Sequence, residues 1–109
     1  NSNYFRIWKQ DKYLSIWFVN LTIKNNIKNK NLLYYLAIFL EENGIETRPC
    51  FHNLSYMPIY NKFSHSSIKE VKNSPPKNLK LISLPTYVGL EENEILRICS
   101  LILKFESLK

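Results

Sequence analysis

Residues 32–51 read LLYYLAIFLEENGIETRPCF, and the fold turns on this stretch. An unbroken apolar and aromatic run, 32–40, leads into Glu41, Glu42, Asn43 and Gly44. Leu33, Leu36, Ala37 and Leu40 recur at helical spacing, which predicts a helix over 32–43. Gly44 suits the residue after its end, where the backbone turns left-handed, and Asn29 or Asn31 is available as N-cap. Leu32, Tyr35 and Phe39 form a second stripe, so the helix has two faces to bury. One face suits the chain's own sheet and the other a neighbour. Beyond Gly44, residues 45–51 predict a strand. Pro49 confines it to an edge or a strand end, because proline has no N–H to give to a ladder.

Working outward, residues 14–23 (LSIWFVNLTI) are rich in aromatic and β-branched side chains. Trp17, Val19, Leu21 and Ile23 fall on one face, Ile16 and Phe18 on the other, which predicts a strand covered on both faces near its start. Residues 1–13 mix Tyr4, Phe5, Trp8 and Tyr13 with charges and show no period. They read as a lead-in from a large domain, with 14–109 as the domain proper. On the C-terminal side, residues 52–79 read as a long connection broken at Ser74-Pro75-Pro76, and connections of that length usually serve a site or a partner. Residues 80–85 (KLISLP) predict a third strand. Ile95, Leu96, Ile98, Cys99, Ile102 and Leu103 predict a helix over 91–104, with Glu91, Glu92 and Glu94 at the end where the helix dipole favours negative charge. The order strand, helix, strand, connection, strand, helix predicts an α+β fold: a small antiparallel sheet with two main helices on one side.

Composition narrows the function. With 109 residues, 45% hydrophobic and 22% charged, the chain has enough apolar material for one modest core. It opens Asn-Ser-Asn and its single methionine is Met57, so it reads as part of a longer polypeptide. No secretory leader is recognised, and the run 32–40 is far short of the roughly 20 residues that span a bilayer. Cys50 and Cys99 lie far apart with no CxxC unit, which reads as two reduced thiols in a cytoplasmic protein. The net charge of +6 admits an anionic partner, but the lysines are scattered through turn-like stretches and favour solvated loops over a nucleic-acid face. A basic α+β nucleic-acid-binding or interaction module is the alternative reading.

Catalytic constellations are scarce. His52 and His65 both fall in the irregular middle, and His65 has no acidic neighbour. Two glycines, Gly44 and Gly89, build no phosphate-cradling loop, and no hydrolase, metalloprotease or nucleotide-binding motif is present. The densest motif is GIETRPCFHNLSYMPIY, residues 44–60. Arg48 within it offers a rigid fork of donors suited to carboxylate or phosphate. Composition alone favours the plainer reading, a surface ion pair with Glu46 or a helix carboxylate.

The same motif resembles the small-domain signature of the DegT/DnrJ/StrS-type sugar aminotransferases, approximately GIETRPFFYPLHxxPxY. Gly44, Ile45, Glu46, Thr47, Arg48, Pro49, Phe51, Leu54, Pro58 and Tyr60 match it. A second block, SLPTYVGLEENEI, resembles the family's SLPxxPxLTxEEI through Ser83, Leu84, Pro85, Leu90, Glu94 and Ile95. The resemblance implies the C-terminal small domain of a fold type I, pyridoxal 5'-phosphate-dependent enzyme. Such enzymes transfer an amino group, usually from glutamate, to a nucleotide-linked keto-sugar for polysaccharide, glycan or antibiotic biosynthesis. It implies a homodimer whose large domain supplies the cofactor lysine, so no lysine of this chain is assigned to the cofactor and no catalytic residue or metal is assigned. The isolated chain is then expected to bind no cofactor and to be inactive, without a nucleic-acid or membrane partner. Arg48, Phe51, His52 and Ser55 are the implied substrate-binding residues. His52 stands where tyrosine is usual, Asn53 replaces a proline, Ser55 a histidine and Val88 a proline. These departures bear on substrate identity.

Overall fold

A computed structural model describes residues 2–8, 17–29, 31–51, 57–59 and 80–109. In chain order they form β1 (Phe5–Ile7), β2 (Val19–Ile23), α1 (Leu32–Glu42), β3 (Arg48–Pro49), β4 (Ile82–Leu84) and α2 (Glu92–Ser107). The strands pair antiparallel in the order β1-β2-β4-β3. The α+β class read from the sequence is the observed one, with a four-stranded sheet and two helices.

Register explains the core. Phe5 lies opposite Ile23, Leu21 opposite Ile7 and Ile82, and Val19 opposite Leu84. Side chains alternate across a strand, so these residues share one face. Phe5, Leu21 and Ile82 are buried there, with Ile23 and Leu84 packed beside them. The helices fill the same core with Leu32, Leu33, Leu36 and Leu40 of α1 and Ile98, Ile102 and Phe105 of α2. The Phe105 ring lies 6.2 Å from Phe5 and 5.5 Å from Phe39, which joins sheet and both helices.

The other face carries Arg6, Asn20, Thr22, Ser83 and Arg48. Thr22 and Ser83 are nonetheless buried, so their hydroxyls need partners. Thr22 Oγ1 donates to Lys80 O at 3.1 Å and Ser83 Oγ to Asn20 Oδ1 at 2.7 Å. A buried hydroxyl left unpaired would cost about 1–3 kcal/mol.

Each helix is ended by its own sequence. At the C-terminus of α1, Gly44 takes φ 75°, Ile45 N donates to Leu40 O and Gly44 N to Glu41 O. That pair of bonds is a Schellman motif, and its apolar contact is present because Ile45 and Leu40 are both buried. At the N-terminus Asn31 occupies the cap position without a side-chain cap bond. The side-chain Oδ1 of Asn29 instead accepts from Asn31 N at 3.0 Å. In α2, Glu94 reaches back to accept from Glu91 N at 3.0 Å, as a capping box requires.

Several boundaries differ from the sequence pattern. Among the described residues, the strand predicted over 14–23 begins at Val19. Trp17 lies outside it and is 73% exposed, so it is not on a doubly covered strand; residues 14–16 are outside the described part. The strand predicted over 45–51 shrinks to Arg48–Pro49, because Gly44 and Ile45 are spent on ending α1. The strand predicted over 80–85 is Ile82–Leu84, and α2 runs on to Ser107 because Phe105 is a core residue. Residues 1–13 carry a strand that the pattern did not predict, β1. The second stripe of α1 is partly met within the chain: Leu32 is buried, Phe39 packs on Phe105, and Tyr35 stays exposed. The connection 52–79 lies outside the described residues except for 57–59.

Glu106 ties the two ends of the chain together. Its carboxylate accepts from Ser2 Oγ, from Asn3 N at 2.9 Å and from Tyr4 N at 3.1 Å, which fixes the approach to β1. Among the described residues no helix is long and apolar enough to cross a membrane.

Candidate functional site

The site starts from the edge strand β3. Pro49 is tolerated there because β3 pairs with β4 on one side only. Arg48 lies opposite Ser83, which lies opposite Asn20, so three polar residues form a row across the second face of the sheet. Arg48 ends that row, its side chain largely exposed, and its Nη2 lies 2.6 Å from Glu46 Oε1. This is the ion pair that composition favoured. An exposed pair of this kind contributes about 0–1 kcal/mol, so its partners exchange at little cost.

Arg48 and Glu46 line an open groove of about 520 Å³ that also takes in the end of α1, the loop after β4 and the first turns of α2. Trp17 and Phe18 supply its aromatic wall, with ring centroids 4.5 Å apart and planes inclined by 26°. Phe51 meets Phe18 edge-on at 5.8 Å. The backbone of Trp17 is held by Thr86 Oγ1, which donates to Trp17 O at 2.7 Å. The wall is therefore attached to the loop after β4.

The opposite side of the groove is polar. Arg97 Nη2 donates to Asn43 O at 2.5 Å, at the negative end of the α1 dipole. Tyr87 OH donates to Glu94 Oε1 at 2.8 Å while the other carboxylate oxygen takes Glu91 N. These bonds push the Tyr87 phenol above its ordinary range, chiefly through its bond to Glu94. The Glu94 carboxyl lies below its own range, first through the Glu91 N–H and then through Tyr87. Glu94 is thus an ionised acceptor and Tyr87 a protonated donor at neutral pH. Burial pushes the Cys50 thiol up, against smaller opposing effects of the Phe51 N–H and the Ser83 hydroxyl. Cys50 therefore holds its proton and is a poor nucleophile.

Of the residues implicated by the sequence, Arg48 lines the groove and Phe51 backs its aromatic wall. His52 and Ser55 lie outside the described residues. Trp17, Tyr87, Glu94 and Arg97 were not singled out as site residues. For Glu94 a signal existed, its position three residues after Glu91 at a helix start. For Trp17 there was none, because side-chain exposure is set by neighbours distant in sequence.

The groove offers a charged fork, hydrogen-bonding groups and stacking surface. Pyridoxal phosphate is fixed in its enzymes by a lysine amine, and no lysine is among the described lining residues. The described residues of the groove do not fit that cofactor by themselves, and no chemical step is assigned to them.

Comparison with known proteins follows the same line. The model of the DegT/DnrJ/EryC1/StrS aminotransferase family matches residues 5–103. Over 67 residues the chain is 33% identical to the GDP-perosamine synthase of Vibrio cholerae, a stretch covering 62% of this chain and 18% of that protein. The matched stretch thus spans less than a fifth of the length of this relative.

Proposed function

The chain belongs to the DegT/DnrJ/EryC1/StrS aminotransferase family, and from that premise we propose that it is the C-terminal small domain of a sugar aminotransferase. In this reading the complete enzyme is a pyridoxal-phosphate-dependent cytoplasmic homodimer. It transfers an amino group from glutamate to a keto-sugar carried by a nucleotide. The large domain holds the cofactor, and the small domain alone is inactive. The observation that carries the proposal is the family match over nearly the whole chain, 5–103. Similarity to a GDP-perosamine synthase supports a nucleotide-linked sugar as substrate and makes a guanosine diphosphate sugar the first to test.

Within this reading the groove is the small domain's share of the substrate site. Arg48 binds a substrate anion, the donor carboxylate or a phosphate, through two parallel N–H bonds. Glu46 holds the guanidinium in place until that anion arrives. His52 and Ser55 belong to the same pocket by their place in the motif.

Arg48→Lys in the complete enzyme tests this, because lysine keeps the charge and loses the fork. A charge-assisted hydrogen bond is worth about 1.5–3 kcal/mol, so kcat/KM should fall by about ten- to a hundredfold. The melting temperature should hardly move, since the pair with Glu46 is exposed. Unchanged kinetics toward both glutamate and the nucleotide sugar would reduce Arg48 to a surface ion pair.

A further inference from the structure

Trp17 is a large aromatic residue with 73% of its surface exposed, and it lies on the groove that holds Arg48. Its ring is backed by Phe18 at 4.5 Å with only 26° between the planes. Phe18 is itself braced edge-on by Phe51, and the backbone at Trp17 is tied down by Thr86. The indole is thus both exposed and supported from behind, a preorganised flat surface. A tryptophan has few rotatable bonds to freeze when it takes a ligand.

We infer that Trp17 is the stacking platform for the nucleobase of the nucleotide-linked sugar, with the Arg48 fork in the same groove receiving its phosphates. The inference rests on the proposed function and specifies which end of the substrate this chain holds. In the proposed reading the large domain holds the cofactor, and the described lining residues include no lysine, so the reacting sugar carbon faces that domain. What remains for the groove is the non-reacting end, a planar heteroaromatic ring followed by a diphosphate. A base has a π-face to stack on an indole. A diphosphate has the charge and geometry for a guanidinium that only an exchangeable surface pair engages among the described residues.

Calorimetric titration of the 109-residue chain with GDP, inorganic pyrophosphate and glucose 1-phosphate tests the platform. GDP should bind more tightly than pyrophosphate. Trp17→Ala should weaken GDP about 5- to 150-fold, the range for one base stacked on one aromatic residue, and leave pyrophosphate unchanged. Trp17→Phe should retain most of the affinity, and circular dichroism should show both variants folded. The inference is overturned if GDP binds no better than pyrophosphate, or if none of the ligands binds. It is also overturned if Trp17→Ala weakens pyrophosphate equally, or if glucose 1-phosphate shows the same dependence on Trp17. Each of those results removes the base platform while leaving the aminotransferase reading to the Arg48→Lys kinetics.

Discussion

Gly44 shows how one residue decides the end of an element. Its φ of 75° belongs to the left-handed region, and among the described residues a Cβ added there would meet only Arg97 Nη2, at 4.0 Å. Gly44→Ala therefore finds room, and its cost is conformational, about 1–2 kcal/mol. For a chain of this size that corresponds to a melting temperature lower by roughly 5–15 °C. Gly44→Asn should lose distinctly less, because asparagine tolerates this conformation. Equal losses for both variants in a thermal melt would show that contacts, not backbone, set the cost. The role of Gly44 was legible because a glycine directly after an apolar helical run has few other uses. Arg48 was legible only as a choice between ion pair and anion site, and the structure contains the ion pair on the lip of a groove, where each reading has its place. Trp17 was misread: alternation put it on a covered strand, whereas the strand starts two residues later.

At the scale of elements, both helices were legible because their apolar period is long enough to stand out, and their errors are confined to the ends. The sheet was harder. β1 is three residues long, too short for alternation to register, and its position depends on a residue a hundred positions away. Glu106 accepts three hydrogen bonds from Ser2, Asn3 and Tyr4. Burial pushes the Glu106 carboxyl up, but these bonds together outweigh it and leave the group below its ordinary value of 4.5. A carboxyl depressed by folding contributes stability that is present above its unfolded pKa and lost as pH falls through the folded one. Glu106→Gln should therefore destabilise the chain by about 1–2 kcal/mol at neutral pH, a part-exposed charge-assisted network being discounted for solvent screening. The difference between wild type and variant should shrink as the pH falls below 4.5 and through the depressed pKa of the folded state. Urea unfolding across that pH range measures it. A difference independent of pH would mean that the amide removes packing and not a charge-dependent clamp.

For the molecule as a whole, the unresolved question of the sequence pattern was what covers the second apolar face of α1. Part of the answer lies inside the chain, since Phe39 meets Phe105 of α2. Covering α1 leaves α2 with a deficit of its own. Ile98, Ile102 and Phe105 face the core, but Ile95, Leu96 and Leu103 are exposed, Leu96 by 58%, and Cys99 is exposed among them. Residues 95, 99 and 103 repeat every four positions, so they form a continuous stripe beside the buried one. From the sequence the two stripes merge into one broad apolar face, because periodicity identifies apolar positions and not which of them a partner inside the chain will cover. Tyr34 and Ile38 on α1 remain uncovered as well. Apolar surface arranged as a stripe drives association in water, so the isolated chain should self-associate in a concentration-dependent way in sedimentation velocity. Leu96→Glu combined with Leu103→Glu should restore a monomer without lowering the melting temperature, because neither side chain contributes to the core. A wild-type chain that sediments as a single monomer at high concentration, or a double variant that still associates, would exclude α2 as the contact surface.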